Sequence, residues 1–212
     1  MAQPSPETRA ARRKLRALRL ALSPAERSAA EQAITDSLRR MCVFRRGRRV
    51  AVYLAMPGEV NLAPVMAIAW RAGCRLFVPR VTSRRRGAMR FVPLDRGARF
   101  RANCYGIAEP ESSPLDQARP LTLDTILLPV VGFDRRGNRL GMGAGYYDRA
   151  LRHRRDPARR WRRPRLVGLA FACQQTDDIV PSRWDVPLDA VVTEREVIVA
   201  GRPSSRWFRS NA

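Results

Sequence analysis

Apolar positions along the chain switch between a helical and a strand period, and the switches mark out the elements. Near the start Ala11, Leu15, Leu18 and Leu22 recur at helical spacing behind Ser5-Pro6, which offers an N-cap and a first-turn proline. The spacing predicts a first helix whose other face, with Arg9, Arg12, Arg13, Lys14, Arg16 and Arg19, is read as solvated. Ser23-Pro24-Ala25-Glu26 is a capping box with proline at the first helical position, and it opens a second helix through Ala29, Ala30, Ala33, Ile34, Leu38 and Met41. Residues 49–55, with Val50, Val52 and Leu54 among small residues, then read as a buried strand that ends in the turn Met56-Pro57-Gly58-Glu59. Asn61 is placed to cap a helix built on Leu62, Val65, Met66 and Ala69 and closed by Gly73, after which residues 76–79 form the next strand. Strand, helix and strand at this spacing make a βαβ unit with parallel strands. Ligands of such sheets gather beyond the carboxyl ends of the strands, where residues 54–59 fall, so Leu54 and Glu59 are candidates to meet a substrate.

The middle of the chain carries weaker patterns. Residues 89–94 predict a strand, Arg84-Arg85-Arg86-Gly87 a turn, and residues 103–120 a long loop containing Gly106-Ile107-Ala108-Glu109-Pro110, to which no chemistry is assigned. Residues 125–131 form an apolar strand and 166–170 another, separated in part by the very basic segment 153–164; two short strands, 190–193 and 197–199, follow. The pattern as a whole predicts an α/β fold of three layers, a mostly parallel sheet flanked by helices with some antiparallel additions. With 212 residues the chain buries roughly 70% of its extended surface as one core, so residues 1–200 are read as a single domain. The tail 201–212 is basic and read as disordered, with Trp207 and Phe208 as the pair available to dock.

One stretch concentrates residues with special backbone or chemical properties: PVVGFDRRGNRLGMGAGYYDRAL, residues 129–151. Gly141, Gly143 and Gly145 at every second position leave main-chain N–H groups open to an anion, and Tyr146, Tyr147, Asp148, Arg149, Ala150 and Leu151 read as the first turns of a helix. A carboxylate such as Asp148 beside bound phosphates makes sense chiefly as a ligand for Mg²⁺. The glycines alone fit either a phosphate-binding loop or a tight surface turn, since their spacing is neither that of a dinucleotide fingerprint nor that of a P-loop.

Composition narrows the function classes. No window approaches the roughly 20 apolar residues of a membrane span, and the start lacks an apolar secretory region, so the chain is expected to be soluble and cytoplasmic. The Arg-rich amphipathic start also has the character of an organelle transit peptide, a reading set against its place in the domain. Cys42, Cys74, Cys104 and Cys173 lie far apart and fit neither a zinc site nor a disulfide framework. His153 is the only histidine and stands among arginines, a poor setting for a histidine-based triad. The formal charge of +22 raises nucleic acid as a partner, but Lys14 is the only lysine, the arginines are spread along the chain, and no recognition module is present. Attraction of polyanionic small substrates is compatible with the same charge.

The string Phe133-Asp134, Gly137, Arg139-Leu140-Gly141, Gly143, Gly145 and Tyr146-Tyr147-Asp148 resembles the signature of the 5-formyltetrahydrofolate cyclo-ligases, also called 5,10-methenyltetrahydrofolate synthetases. The resemblance extends over roughly residues 8–194. It implies a Rossmann-like fold of the NagB/RpiA/CoA-transferase-like kind, and a monomeric enzyme that uses ATP and Mg²⁺ to cyclise a reduced folate. On this resemblance ATP is expected at Arg139, Leu140, Gly141, Met142, Gly143, Ala144, Gly145, Tyr146 and Tyr147, and the folate at Leu54, Glu59, Met142, Gly143, Ala144, Gly145 and Tyr146, with Glu59 accepting from the pterin ring. The metal is expected at Asp148 and Asp185. The family places a Lys and, four positions on, an Arg near the N-terminus to reach ATP phosphates; the Arg falls on Arg12, while Thr8 takes the Lys position and Arg9 follows one step later. Arg9 and Arg12 therefore complete the expected ATP set. Met142 and Ala144 depart from relatives that carry Lys, Arg, Tyr or Gly there, which leaves the backbone rather than those side chains to hold phosphate. Two rivals of other classes are a basic nucleic-acid-binding module and a nucleotide or sugar-phosphate enzyme sharing only the α/β scaffold.

Overall fold

The computed structural model describes residues 5–41, 43–83, 85, 87–102, 108–111, 116–156, 164–200 and 207. In chain order these form α1 (Pro6–Leu20), α2 (Pro24–Arg40), β1 (Arg49–Ala51), α3 (Ala63–Arg71), β2 (Arg75–Ser83), β3 (Ala88–Pro93), β4 (Phe100–Ala102), β5 (Ala108–Pro110), β6 (Thr125–Pro129), β7 (Gly132–Phe133), β8 (Arg139–Leu140), α4 (Tyr146–Ala150), β9 (Arg165–Leu169), β10 (Ala190–Val192) and β11 (Val197–Val199).

The caps act as the sequence predicts at both N-terminal helices. Ser5 Oγ accepts the Thr8 N–H at 3.2 Å, and the box at α2 is reciprocal, with Ser23 N–H donating to Glu26 Oε2 at 2.9 Å and Glu26 N–H to Ser23 Oγ at 3.3 Å. At α3 the Asn61 side chain accepts the Ala63 N–H at 3.0 Å, although Leu62 occupies the cap position of the helix itself.

Seven strands make the central sheet in the order β11-β10-β9-β6-β1-β2-β3. The five inner strands are mutually parallel, and one antiparallel strand closes each edge: β3 pairs back on β2, and β11 on β10. Buried residues alternate strictly between its two faces. Val50, Leu76, Val78, Leu127, Val167, Leu169, Ala190 and Val192 join Ile34 and Leu38 of α2 and Val65 and Ala69 of α3 in one core. Ala51, Phe77, Ile126, Leu128, Leu166 and Val191 point into a second core with Phe133, Leu151, Val186 and Leu188. Period-2 side-chain alternation with both faces apolar is what a sheet covered on both sides requires, and it produces the three-layer α/β architecture. A third, smaller cluster of Leu15, Val131, Leu140 and Ile179 docks α1 against the β7–β8 hairpin.

Several expectations are corrected. The basic face of α1 is not solvated throughout: Arg19 is only 3% exposed and Arg12 is half-buried, because α1 lies over the sheet edge and turns those positions inward. Leu18, next to Arg19 on the helix, is 42% exposed. Strand β2 runs on to Ser83, sustained by its antiparallel pairing with β3, whereas β1 ends at Ala51. The segment read as a long loop contains β5, which pairs with β4. Trp207 is buried and packs in the first core with the Arg165 guanidinium 5.0 Å from its ring centroid, so this part of the tail is docked; Phe208 and the rest of 201–212 lie outside the described residues. Cys74 and Cys173 are free thiols, and Cys42 and Cys104 lie outside the described residues, as does most of the basic segment 153–164. No helix among the described residues is long and apolar enough to cross a membrane.

Candidate active site

A cavity of about 1550 Å³ opens at the carboxyl edge of the parallel strands. Its floor comes from Tyr53 and Leu54 beyond β1, Val78 and Pro79 of β2, and Pro129 at the end of β6; α1 and the segment 175–185 form the sides, and residues 139–148 the far wall. This is where a parallel sheet gathers ligands. Five of the large apolar side chains that stand exposed, Leu18, Met56, Met142, Val180 and Trp184, belong to this cavity, which suits planar ring systems.

The glycine segment is delivered by the β7–β8 hairpin, whose turn is built on Asp134. Its Oδ1 accepts the N–H groups of Arg136 and Asn138 at 2.9 and 2.8 Å, and its Oδ2 accepts Asn138 Nδ2 at 2.7 Å. From Gly141 the backbone leaves the hairpin and adopts positive φ at Gly143 (101°) and Gly145 (65°), a conformation that a Cβ disfavours. Arg12 Nε donates to the Gly141 carbonyl at 2.8 Å. Among the described residues the N–H groups of residues 142–145 donate to nothing, so four consecutive amides stand unpartnered in the cavity wall. Residues 142–144 are exposed and Gly145 half-buried, so these amides are open to a ligand, and successive open amides with alternating backbone hand make an anion-binding concavity. Helix α4 spans only five residues, too short for its dipole to add to the attraction for an anion.

Arg139 and Asp148, expected on phosphate and metal respectively, meet each other. Arg139 Nη2 lies 2.6 Å from Asp148 Oδ1, Arg139 Nη1 donates to the Val186 carbonyl, and the Val186 N–H donates to the same Asp148 oxygen at 3.1 Å. The pair ties α4 to the segment carrying Asp185. Asp148 Oδ2 accepts no hydrogen bond among the described residues. Asp185 also lines the cavity, its Oδ2 accepting the Ser182 N–H at 2.8 Å, and its charge is felt by Arg12, whose pKa partial burial lowers and Asp185 raises. Among the described residues no group of three or more His, Cys, Asp or Glu side chains is assembled. Asp148 and Asp185 both line the cavity nevertheless, and one or two carboxylates are what Mg²⁺ takes when it completes its octahedron with phosphate oxygens and water.

Glu59 lines the same cavity. Burial raises its pKa, while the Met56 N–H donating to Oε2 at 3.0 Å and the charges of Arg19 and Arg16 pull it down. Burial first and Glu59 second raise the pKa values of Tyr53 and Tyr147, so both phenols stay neutral donors.

The cavity lining includes Arg12, Leu54, Glu59, Asp185 and every residue from Arg139 to Asp148, and it includes Thr8. Arg9 is exposed on α1 and does not line it, because one residue turns a helix by about 100°. Sequence reasoning missed Tyr53, Met89, Glu109, Gln175, Thr176, Asp178, Ile179 and Val180. Glu109, ion-paired with Arg80 at 3.6 Å, was signalled by its Gly-Ile-x-Glu-Pro setting.

A doubly covered, mostly parallel sheet with a large cavity at its carboxyl edge, walled by open amides and carboxylates, is the architecture of an α/β enzyme that acts on small molecules. The chain belongs to the 5-formyltetrahydrofolate cyclo-ligase family, whose model matches residues 4–194. The 5-formyltetrahydrofolate cyclo-ligase of Escherichia coli is 31% identical over 185 residues, covering 86% of this chain and 98% of that protein. That of Haemophilus influenzae is 30% identical over 180 residues, covering 84% and 92%. Among solved structures, the 5,10-methenyltetrahydrofolate synthetase of Aquifex aeolicus superposes with a TM-score of 0.77 at 28% identity, covering 97% of this chain and 96% of that one. The synthetase of Mycoplasma pneumoniae gives 0.68 at 25% identity, covering 89% and 99%.

Proposed function

We propose that this enzyme converts 5-formyltetrahydrofolate and ATP to 5,10-methenyltetrahydrofolate, ADP and phosphate. The observation that carries the reading is the run of four unpartnered amides at 142–145 in the wall of the cavity. Drug-sized ligands occupy roughly 300–1,000 Å³, so a cavity of about 1550 Å³ has room for a nucleotide and a folate together. ATP lies along α1 and the glycine segment, with its phosphates on the amides of 142–145 and near Arg12; Arg9 is left out of this set in favour of Thr8. The folate lies toward Leu54 and Glu59, and Glu59 accepts from the pterin N–H groups. Residues 142–146 border both ligands, which is the place for a group to pass between them.

A formamide oxygen is a poor leaving group. Transfer of the γ-phosphoryl group to that oxygen, with ADP leaving, creates a phosphorylated imidate-like carbon. N10 attacks the carbon, the C–O bond breaks to release phosphate carrying the former formyl oxygen, and the N10 proton passes to solvent. Among the described residues the cavity lining includes no histidine or cysteine, and the chain's part is to align N10 and the phosphates and to balance charge. Mg²⁺ bound through Asp148 and Asp185 would neutralise phosphate charge; Arg139 holds Asp148 oriented, and Tyr147 remains a neutral donor beside it. The test is the absorbance of the methenyl product on mixing enzyme, 5-formyltetrahydrofolate, ATP and Mg²⁺. One ADP is expected per ring closed, with the rate abolished by excess chelator. Absence of product overturns the function, and full activity in chelator overturns the metal's part in it.

A further inference from the structure

Arg149 follows the Tyr-Tyr-Asp run and has no role in the reading above, since it does not line the cavity. Its guanidinium nevertheless joins two segments far apart in sequence. Nε donates to the Gly87 carbonyl at 3.0 Å, Nη2 donates to the Ala144 carbonyl at 2.5 Å, and the guanidinium carbon lies 5.4 Å from the centroid of the Tyr146 ring. Gly87 closes the β2–β3 turn at φ +56°, and the guanidinium lies across its bare Cα: a Cβ there would fall 2.1 Å from Nη2.

In a trans peptide the C=O of one residue and the N–H of the next point in opposite directions. Holding the Ala144 carbonyl against Arg149, which lies outside the cavity lining, therefore turns the Gly145 N–H the opposite way. Arg12 fixes the peptide plane at the other end of the segment through its bond to the Gly141 carbonyl, which holds the Met142 N–H on the side away from Arg12. Between these two fixed planes lie Gly143 and its positive φ, with little conformational resistance of their own. We infer that Arg149 is a positioning residue, anchored on the Gly87 turn, that keeps the Gly145 end of the 142–145 amides turned toward the nucleotide phosphates. The inference rests on the proposed binding of ATP phosphates by those amides.

The variants are Arg149→Lys, which keeps the charge but reaches one carbonyl at a time, Gly87→Ala, which drives a methyl into the guanidinium, and the double variant. Each is measured for affinity toward a non-hydrolysable ATP analogue with Mg²⁺, for the KM of both substrates, and for Tm. Loss of a charge-assisted hydrogen bond predicts about tenfold or greater weakening of the analogue in either single variant, with the folate KM, whose ligand borders the same segment, changed by a clearly smaller factor. The double variant is expected to be no weaker than the weaker single one, because both act through one contact. Analogue affinity unchanged in Arg149→Lys, multiplying effects in the double variant, or ATP and folate KM rising together with a lowered Tm would each overturn the inference. If the wild-type chain itself binds no analogue, the ATP reading falls and takes the inference with it, an outcome told apart by the wild-type measurement alone.

Discussion

Gly143 holds φ at +101°, and a Cβ built there would stand 3.4 Å from Arg12 Nη1, in ordinary contact. Space is not the obstacle to a side chain at this position; the torsion is. Gly143→Ala is expected to lose most turnover, because the loop must leave its conformation to relieve a strain of about 1–2 kcal/mol, while Tm moves by only a few degrees. Wild-type turnover in this variant would remove the amide run from the mechanism. Glu59 gives a second residue-level test. Replacing its carboxylate by an amide takes a charged acceptor from the pterin, so Glu59→Gln should raise the folate KM about 10-fold to 100-fold and leave the ATP KM nearly unchanged. Burial holds the Glu59 pKa above the ordinary carboxylate value, so the ionised acceptor forms only as pH rises through that raised value. The wild-type folate KM should accordingly fall with rising pH through this window, and the Gln variant should lack that fall. Glu59 was legible from its place after a strand; buried Arg19 beside it was not, because its position in a basic helical face is indistinguishable in one dimension from its solvated neighbours.

At the scale of elements, the hairpin of β7 and β8 presents the whole glycine segment, and Asp134 holds its turn through three accepted hydrogen bonds. Asp134 is 5% exposed, so its removal strands donors that water cannot easily reach. Asp134→Ala should cost about 2–4 kcal/mol of stability, with Asp134→Asn costing less because it retains an acceptor oxygen. Equal Tm values for the wild type and the Ala variant would show that the turn forms without the carboxylate. Capping signals made the helix starts readable from local chemistry alone, since each cap is satisfied within three residues. Strand ends were less readable. β2 extends to Ser83 because β3 pairs with it, and β5 exists because β4 does; a partner distant in sequence supplies those hydrogen bonds.

Across the molecule, the formal charge of +22 surrounds a cavity proposed to take two polyanions. Long-range attraction of this kind is screened within a Debye length of about 10 Å at 0.1 M salt. The KM values for ATP and folate should both rise as ionic strength is raised, with kcat little changed; salt-independent KM values would mean that the arginines outside the cavity do not steer substrate. The sequence by itself determined the α/β class, the two capped helices, the βαβ unit and the segment that forms the cavity wall, because each depends on periodicity or on residues within a few positions of one another. It also contained the family signature, which is a property of residue order. Tertiary structure alone decided that Arg139 meets Asp148, that Arg12 and Arg149 grip the two ends of the glycine segment, that Glu109 reaches the cavity and that Trp207 closes a core. Each of these is a meeting of side chains or carbonyls brought together by the order of strands in the sheet, and no local pattern encodes that order.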